Sequence, residues 1–146
     1  AKICMNSGCH MFIANGKKYS PISNMIKNKK FTHFLPKIST LDAKKKWIIG
    51  SLNYNGTINI DDGASKALSN GKSLLAAGIT KINGTFEKGE NVLILDKNNN
   101  QLARGLSSFS SAEVNKIKGK QSKEIEKILG YLSKTEVIHK DDMVLL

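Results

Sequence analysis

From Gly56 onward the chain consists of short apolar segments separated by glycine or by Asn-Gly, which leaves little room for long elements. The stretch from Gly71 to Glu90, GKSLLAAGITKINGTFEKGE, holds four glycines in twenty residues. Short apolar runs bounded by turn residues are typical of strands of roughly 4–8 residues, and glycine marks the positions where a chain turns. The sequence therefore predicts a compact module of short strands and small helices in this region.

The length of 146 residues is enough for one ordinary domain or two small ones. The 40% hydrophobic and 24% charged composition is that of a globular protein, and no apolar run approaches the roughly 20 residues of a membrane-spanning helix. Cys4 and Cys9 lack the paired spacing of zinc sites, so we expect unligated thiols and a cytoplasmic location. The first residues resemble the tail of an uncapped helix, which suggests a fragment of a longer protein.

The formal net charge of +11 is concentrated in the first third of the chain. Residues 1–53 contain ten lysines and one acidic residue, whereas residues 54–146 contain 13 basic and 11 acidic residues. Such an excess is one indication of a nucleic-acid partner. However, 22 of the 23 basic residues are lysine, so a biased base composition of the coding genome explains the charge equally well.

The sequence of residues 1–40 predicts secondary-structure elements in the order helix, strand, helix, strand. A helix ends at Gly8, a strand occupies residues 10–16, and a second strand occupies residues 31–36. Between them Ser20 is a candidate helix cap with Pro21 at the first helical position. This alternation favours a remnant of a parallel α/β sheet, whose missing neighbours would leave Phe12, Ile13, Phe34 and Leu35 exposed and cause self-association. Residues 41–53 then predict a lysine-rich linker with an entry strand at 47–52.

Residues 54–146 predict a second module of mixed strands and small helices, which makes the chain α+β overall. GTINI is a strand, DDGASKALSNG is a helix capped by Asp61 or Asp62, and NVLILD pairs antiparallel with the returning LARGLSSFS. Two short helices follow, SSAEVNKIKG with Ser110 or Ser111 as cap and SKEIEKILG with one apolar face. The segment EVIHKDDMVLL closes the module as one strand. Together these elements suggest a β-barrel-like fold.

The order of these motifs resembles a known family. GTINIDDGASKAL, GKSLLAAGI, GENVLILD with LARGLSSFSS, EIEKILGY and VIHKDDMV together resemble the PUA domain attached to bacterial glutamate 5-kinases. AKICMNSGCHMFIANG and FTHFLP with KKKWIIG are similar to the end of the amino acid kinase domain of those enzymes. The resemblance implies three parts: a kinase-domain remnant at 1–40, a linker at 41–53 and a PUA domain at 54–146.

The resemblance implies an enzyme that phosphorylates the γ-carboxylate of glutamate with ATP and Mg²⁺ at the start of proline synthesis. The family's Gly-Gly-Met-x-Thr-Lys run, expected upstream of Ala1, is absent from these residues. Phosphoryl transfer needs positioned backbone donors, a basic side chain and metal-bound phosphates. We therefore expect no catalytic residue, no bound cofactor and no kinase activity in this chain alone, whose partner would be the remaining kinase portion.

The GKSLLAAGI loop also resembles the RNA-contacting loop of PUA domains, which makes a stand-alone RNA-binding module the alternative function. The RNA-binding candidates are one hydroxyl and four basic residues: Lys66, Lys72, Ser73, Lys81 and Arg104. Glycine lets a backbone approach phosphate, and lysine neutralises its charge. The competing interpretation is that Gly71 ends a helix, Gly78 starts a strand and the leucines are core. A third possibility is a regulatory or interaction appendage of the kinase.

The remaining polar residues predict little chemistry. His10, His33 and His139 are isolated in the sequence, and each is expected to be a packed or surface residue, so no metal site is predicted. The Asp61-Asp62 pair is better explained by helix capping than by metal binding, and Lys44 to Lys46 by a solvated linker. Asn15 and Gly16 follow the first predicted strand, where α/β sheets bind ligands, and are the only candidates for a nucleotide or substrate contact.

Overall fold

A computed structural model describes residues 1–17, 19–50, 53–131 and 134–146 of the chain, with the side chain of Asn6 left out. Its backbone forms two compact units, Ala1–Lys44 and Lys45–Leu146. The boundary falls inside one helix, α3 (Thr40–Gly50). No helix in the described part of the chain is long and apolar enough to cross a membrane.

The first unit contains α1 (Lys2–Asn6), β1 (Met11–Ile13), α2 (Pro21–Asn28) and β2 (Thr32–Phe34). The predicted order of helices and strands is confirmed, and Pro21 is the first residue of α2. Ser20 precedes α2 in a left-handed conformation, φ 52°, but its side chain makes no capping hydrogen bond. The chain therefore starts α2 mainly through the fixed φ of proline.

The prediction that the two strands are parallel is wrong. β1 and β2 are antiparallel, with Phe12 opposite His33 and Ile13 opposite Thr32. The reason is that three-residue strands with no third neighbour in the described sheet gain little from burial, and antiparallel hydrogen bonds are the more stable arrangement for a single pair. Phe12, Ile13 and Leu35 are exposed as expected, at 45, 51 and 61%, whereas Phe34 is half-buried, contrary to the prediction. The self-association inferred from this exposure stays a prediction.

The second unit is built around a five-stranded mixed sheet with the order β5-β3-β6-β7-β9. These strands are β3 (Gly56–Ile60), β5 (Ile79–Gly84), β6 (Asn91–Leu95), β7 (Gln101–Leu106) and β9 (Met143–Leu145). β3 and β6 are parallel, and the other neighbours in the sheet are antiparallel. A separate antiparallel pair joins β4 (Leu74–Leu75) to β8 (Glu136–Ile138). The predicted α+β class with a mixed sheet is confirmed, although no ladder closes the sheet into a barrel among the described residues.

Three helices complete the second unit: α4 (Asp62–Ser69), α5 (Ser111–Ile117) and α6 (Ser122–Leu129). The caps of the first two follow the sequence prediction, since Asp61 Oδ1 accepts from the Ala64 amide and Ser110 forms a capping box with Glu113. One face of the sheet packs with these helices into a single core of apolar side chains. Its largest fully buried members are Phe86, Phe109, Ile58, Ile60, Leu68, Leu74, Ile94, Ile117, Ile125 and Ile138.

The end of α3 replaces the predicted entry strand. Trp47, Ile48, Ile49 and Gly50 are helical, and residues 51 and 52 lie outside the described residues. Ser39 Oγ accepts a hydrogen bond from the Asp42 amide at 3.0 Å, and the lysines that follow are good helix formers. The helix therefore continues through the apolar run. Ile48 is fully buried, and its carbonyl accepts from Asn91 Nδ2 at the start of β6.

The predicted final strand is two strands in different sheets. The backbone turns through a short 3-10 helix, Lys140–Asp142, where His139 Nδ1 accepts from the Asp141 amide at 3.2 Å. This turn directs β8 to β4 and β9 to β7. The sequence predicted one strand because apolar and polar residues alternate in the same way whether a strand continues or a second strand begins after a polar turn.

At Gly105, β7 passes close to β8 and to the turn that follows β8. A Cβ added at Gly105 would lie 2.7 Å from Ile138 Cγ2 and 2.9 Å from the Asp142 carbonyl oxygen. We predict that Gly105→Ala lowers the free energy of unfolding by about 1–3 kcal/mol, because β8 and the following turn must move apart. Urea denaturation followed by circular dichroism measures this change.

Gly50→Ala is the matched control, since nothing lies within 4 Å of its added Cβ. The control should be neutral or slightly stabilising, because alanine favours the helix that ends there. Equal stability of Gly105→Ala and the wild-type chain would contradict the packing described for β7 and β8.

Candidate ligand-binding cleft

The main cleft of the second unit lies between α4 and the loop that follows it. Its volume is about 560 Å³, and it is lined by Asp61, Gly63, Ala64, Ala67, Lys72, Ser73, Leu75, Ala77, Gly78 and Glu136. Small side chains on α4 and in the loop form most of the walls. Leu75, which is 42% exposed, contributes the largest apolar surface among the described lining residues. The cleft therefore offers an open apolar floor with a few polar groups around it.

The loop is held against α4 by one close approach. An added Cβ at Gly78 would lie 2.4 Å from Ala64 Cβ, and the Gly78 carbonyl accepts from the Asp61 amide at 3.0 Å. Only glycine at position 78 allows the short 3-10 turn Ala76–Gly78 to pass this close to the helix. The two observations show that the loop is packed directly against the start of α4 at this side of the cleft.

The polar groups of the cleft are unequally available for binding. Asp61 is engaged in capping α4, and Ser73 Oγ accepts a hydrogen bond from the Lys140 amide at 3.0 Å. The side chain of Lys72 is exposed, and Glu136 is half-buried opposite Leu75. A lysine, a hydroxyl and a carboxylate at the rim suit ligand binding through hydrogen bonds and charge. We find no nucleophile paired with a base among the described lining residues.

The structure brings together two of the five predicted RNA-binding residues, Lys72 and Ser73. Lys66 is exposed on α4 but does not line the cleft, and Lys81 lies on β5 opposite Asn59. Arg104 lies in the middle of β7, where its Nη1 is 3.5 Å from the Ile49 carbonyl and its guanidinium is 5.9 Å from the Tyr54 ring centre. Arg104 is therefore engaged within the second unit.

A group of exposed lysines beside the cleft was missed by the sequence analysis. Lys118 and Lys120 lie in the turn between α5 and α6, with Lys116 at the end of α5 and Lys123 at the start of α6. All four are exposed, and we call this group the lysine turn. The Gly119 amide donates to the Ala76 carbonyl at 2.7 Å, which places this turn against the loop of the cleft. The signal was the spacing KIKGKQSK, but its place against the loop Ala76–Gly78 depends on a contact between residues 43 positions apart.

Asn15 and Gly16, the predicted nucleotide or substrate contacts, lie in the first unit after β1. Asn15 lines a pocket of about 330 Å³ with Pro21, Asn24, Met25, Asn28, Lys30 and Ala14, whereas Gly16 is not among its described lining residues. Asn15 Oδ1 accepts from the Lys17 amide at 2.9 Å, so this oxygen stabilises the turn. A ligand contact at Asn15 or Gly16 stays a prediction.

The carboxylate of Glu113 connects the start of α5 to Tyr131, the second residue after α6. The Tyr131 hydroxyl donates to Glu113 Oε1, and this hydrogen bond, with those from Ser110, lowers the pKa of Glu113 below its ordinary value of 4.5. The same bond raises the pKa of Tyr131 above 10.0. Both shifts describe one interaction that stabilises the ionised carboxylate beside the neutral phenol.

The second unit belongs to a known family, because the PUA domain family matches residues 56–129, half of the chain. The chain is therefore a PUA-domain protein. Across 99% of its length it is 63% identical to glutamate 5-kinase of Pelagibacter ubique strain HTCC1062 and 42% identical to that of Paramagnetospirillum magneticum strain AMB-1. It spans 39% of the length of each of these relatives and resembles their C-terminal part.

Two solved structures match parts of this chain. A PUA domain from Aeropyrum pernix K1, crystallised as a tartrate complex, has 21% identity and a TM-score of 0.44, and the match covers 58% of this chain and 41% of that one. A chain of the archaeal box H/ACA sRNP Nop10-Cbf5 complex has 25% identity and a TM-score of 0.43, and the match covers 60% of this chain and 25% of that one.

We predict that Tyr131→Phe lowers the free energy of unfolding of the second unit by about 0.5–1 kcal/mol at neutral pH, since a solvent-accessible hydrogen bond to a carboxylate is lost. Because the folded pKa of Glu113 lies below 4.5, this contribution is fully present above pH 4.5 and lost as the pH falls through the folded pKa. Thermal unfolding at several pH values measures the difference. A stability gap that is unchanged at the lowest pH at which the chain still folds would contradict the interpretation.

Proposed function

We propose that this chain is the PUA-containing portion of a cytoplasmic, ATP-dependent kinase that phosphorylates the γ-carboxylate of glutamate, the first step of proline biosynthesis. The observation that carries the proposal is the 63% identity to a glutamate 5-kinase across 99% of the chain. Identity at this level over both units is expected when two chains share the same arrangement of domains. In this proposal residues 1–40 end the amino acid kinase domain, residues 41–53 link the domains and residues 54–146 form the PUA domain.

Phosphoryl transfer itself is assigned to the portion of the kinase outside these residues. The reaction needs a cradle of backbone amides, a lysine at the phosphates and carboxylates that hold Mg²⁺. The described residues contain no group of three or more histidine, cysteine or acidic side chains arranged to hold a metal ion. ATP and Mg²⁺ are therefore proposed for the whole kinase, and the chain alone is proposed to be catalytically inactive.

A chimera tests the proposal. This chain replaces the matching C-terminal segment of the Pelagibacter ubique kinase, to which it is 63% identical. We predict that the chimera forms γ-glutamyl phosphate, trapped with hydroxylamine, at a rate within about tenfold of the unmodified kinase, since the proposed catalytic portion is intact.

Two controls make the result decisive. The 146-residue chain alone should give no hydroxamate above background, and the Pelagibacter kinase truncated before the matching segment reports what its remaining portion does alone. A folded chimera without activity would contradict the shared parentage. Turnover by the isolated chain would contradict the assignment of catalysis to the rest of the kinase.

A second candidate function, RNA binding, is favoured by the lysine turn beside the cleft. Lys72 lines the cleft, and the hydrogen bond from Gly119 to Ala76 joins the turn that carries Lys118 and Lys120 to the same loop. The three cations would form one RNA-binding surface. Each neutralised phosphate adds affinity by counterion release. Lys66, Lys81 and Ser73 remain candidates at the edges of this surface, as does Arg104 if it leaves its contacts with Ile49 and Tyr54.

We predict that replacing Lys72, Lys118 and Lys120 with alanine weakens binding to a structured RNA by about tenfold or more at low salt and reduces the salt slope by about two. Fluorescence anisotropy over a salt series measures both quantities. The charge-matched control replaces Lys27, Lys29 and Lys30 in the first unit. Equal loss in both triple variants would mean non-specific attraction, and absence of binding at low salt would reject the RNA function.

A further inference from the structure

Two histidines that are isolated in the sequence meet in the first unit. His10 precedes β1 by one residue, and His33 is the central residue of β2, directly opposite Phe12. Since residues two apart on a strand share a face, His10 and His33 are diagonal neighbours on the same face of the antiparallel pair. His10 Nδ1 lies 2.9 Å from His33 Nε2, and both side chains are exposed.

Aromatic packing fixes the direction of His33. The ring of Phe12 stacks on the ring of His33 with centres 4.1 Å apart and an angle of 13° between the planes. Phe31 packs edge-on against Phe12 with ring centres 5.4 Å apart, so the three rings form a small aromatic cluster. Stacking limits the ring to two orientations related by a 180° rotation about χ2, and the observed one directs His33 Nε2 towards His10. The two nitrogens are therefore brought together before any ligand is present.

We propose that His10 and His33 form a binding site for one divalent late first-row transition-metal ion, with solvent completing the coordination. Imidazole nitrogens bind such ions at about 2.0–2.1 Å, and two ligands at a right angle on one ion stand about 2.9 Å apart. The observed separation of 2.9 Å matches such cis ligands. The exposure of both rings leaves the remaining coordination positions open to water.

Metal binding requires a tautomer change in the pair and a rotation of the two rings, since the lone pairs that face each other in the hydrogen bond must both be directed at one ion. In the metal-free pair one of the two facing nitrogens carries the shared proton, and that ring must move its proton to its other nitrogen before it can ligate. When both rings are neutral, no proton is released to solvent by this exchange. The ion then replaces the hydrogen bond as the link between β1 and β2.

The chemistry of the donors determines which ion binds. Neutral imidazole favours Ni²⁺ and Cu²⁺ and is a poor ligand for Mg²⁺ and Ca²⁺, which prefer oxygen. Residues 1–44 carry eight lysines and one acidic residue, so long-range repulsion lowers the affinity. We expect weaker binding than at a three-ligand or four-ligand site, with affinity rising in the order Co²⁺, Ni²⁺, Cu²⁺.

Isothermal titration of the 146-residue chain tests the proposal. The background is Cys4→Ser/Cys9→Ser, because the free thiols would otherwise bind the same ions. We predict one equivalent of Ni²⁺ bound at neutral pH, and a loss of about tenfold or more in affinity for either His10→Gln or His33→Gln. His139→Gln is the matched control, since it removes the remaining histidine of the sequence and should leave the affinity unchanged.

Amide hydrogen exchange provides a second readout. Ni²⁺ should slow exchange in Met11–Ile13 and Thr32–Phe34 of the background chain but not of His33→Gln, since a ligand that binds only the paired strands stabilises them. Exchange without metal shows whether each variant keeps the strand pair. Three results would overturn the proposal: no binding at millimolar Ni²⁺, an affinity of His10→Gln or His33→Gln equal to that of the background chain, or the same loss of affinity in His139→Gln.

Discussion

The parallel pairing of β3 with β6 is the constraint on which the second unit depends. Two adjacent parallel strands cannot be joined by a tight turn, so the intervening chain must return across the sheet before β6 begins. It does so through α4, β4, a 3-10 turn and β5, and β5 pairs with the other edge of β3. The cleft lies between α4 and the loop of this same return path. The main cavity is thus a consequence of strand order.

Local signals were sufficient to predict most elements of the second unit from the sequence. Asp61 and Ser110 are strong caps, and glycine and asparagine mark the turns, so α4, α5 and the β6–β7 hairpin could be placed correctly. Strand direction in the first unit was mispredicted because alternating helices and strands do not determine how two three-residue strands pair. The segment 47–50 was mispredicted because its helix starts upstream at Thr40, where the Ser39 hydroxyl accepts a hydrogen bond from the Asp42 amide.

The candidate sites show which groups of residues can be predicted from the sequence and which cannot. Lys72 and Ser73 were predicted because they stand inside a recognisable loop, and they do line the cleft. The lysine turn and the His10–His33 pair were not predicted, because each depends on a contact between residues far apart in the chain. A single histidine carries no information on its neighbours until the strand register is known. Register, more than composition, therefore decides which polar residues can act together.

The position of β9 at the sheet edge affects how the protein folds during synthesis. About 36 residues separate the end of β7 from the start of β9, its partner. At roughly 5–20 residues per second, a ribosome needs about 2–7 seconds to make them. During that interval the outer edge of β7 presents unpaired backbone groups, which favour association with other nascent chains. The edge of β7 is therefore protected only once β9 has been made, and slow translation of α5 and α6 would prolong the time during which it can associate with other chains.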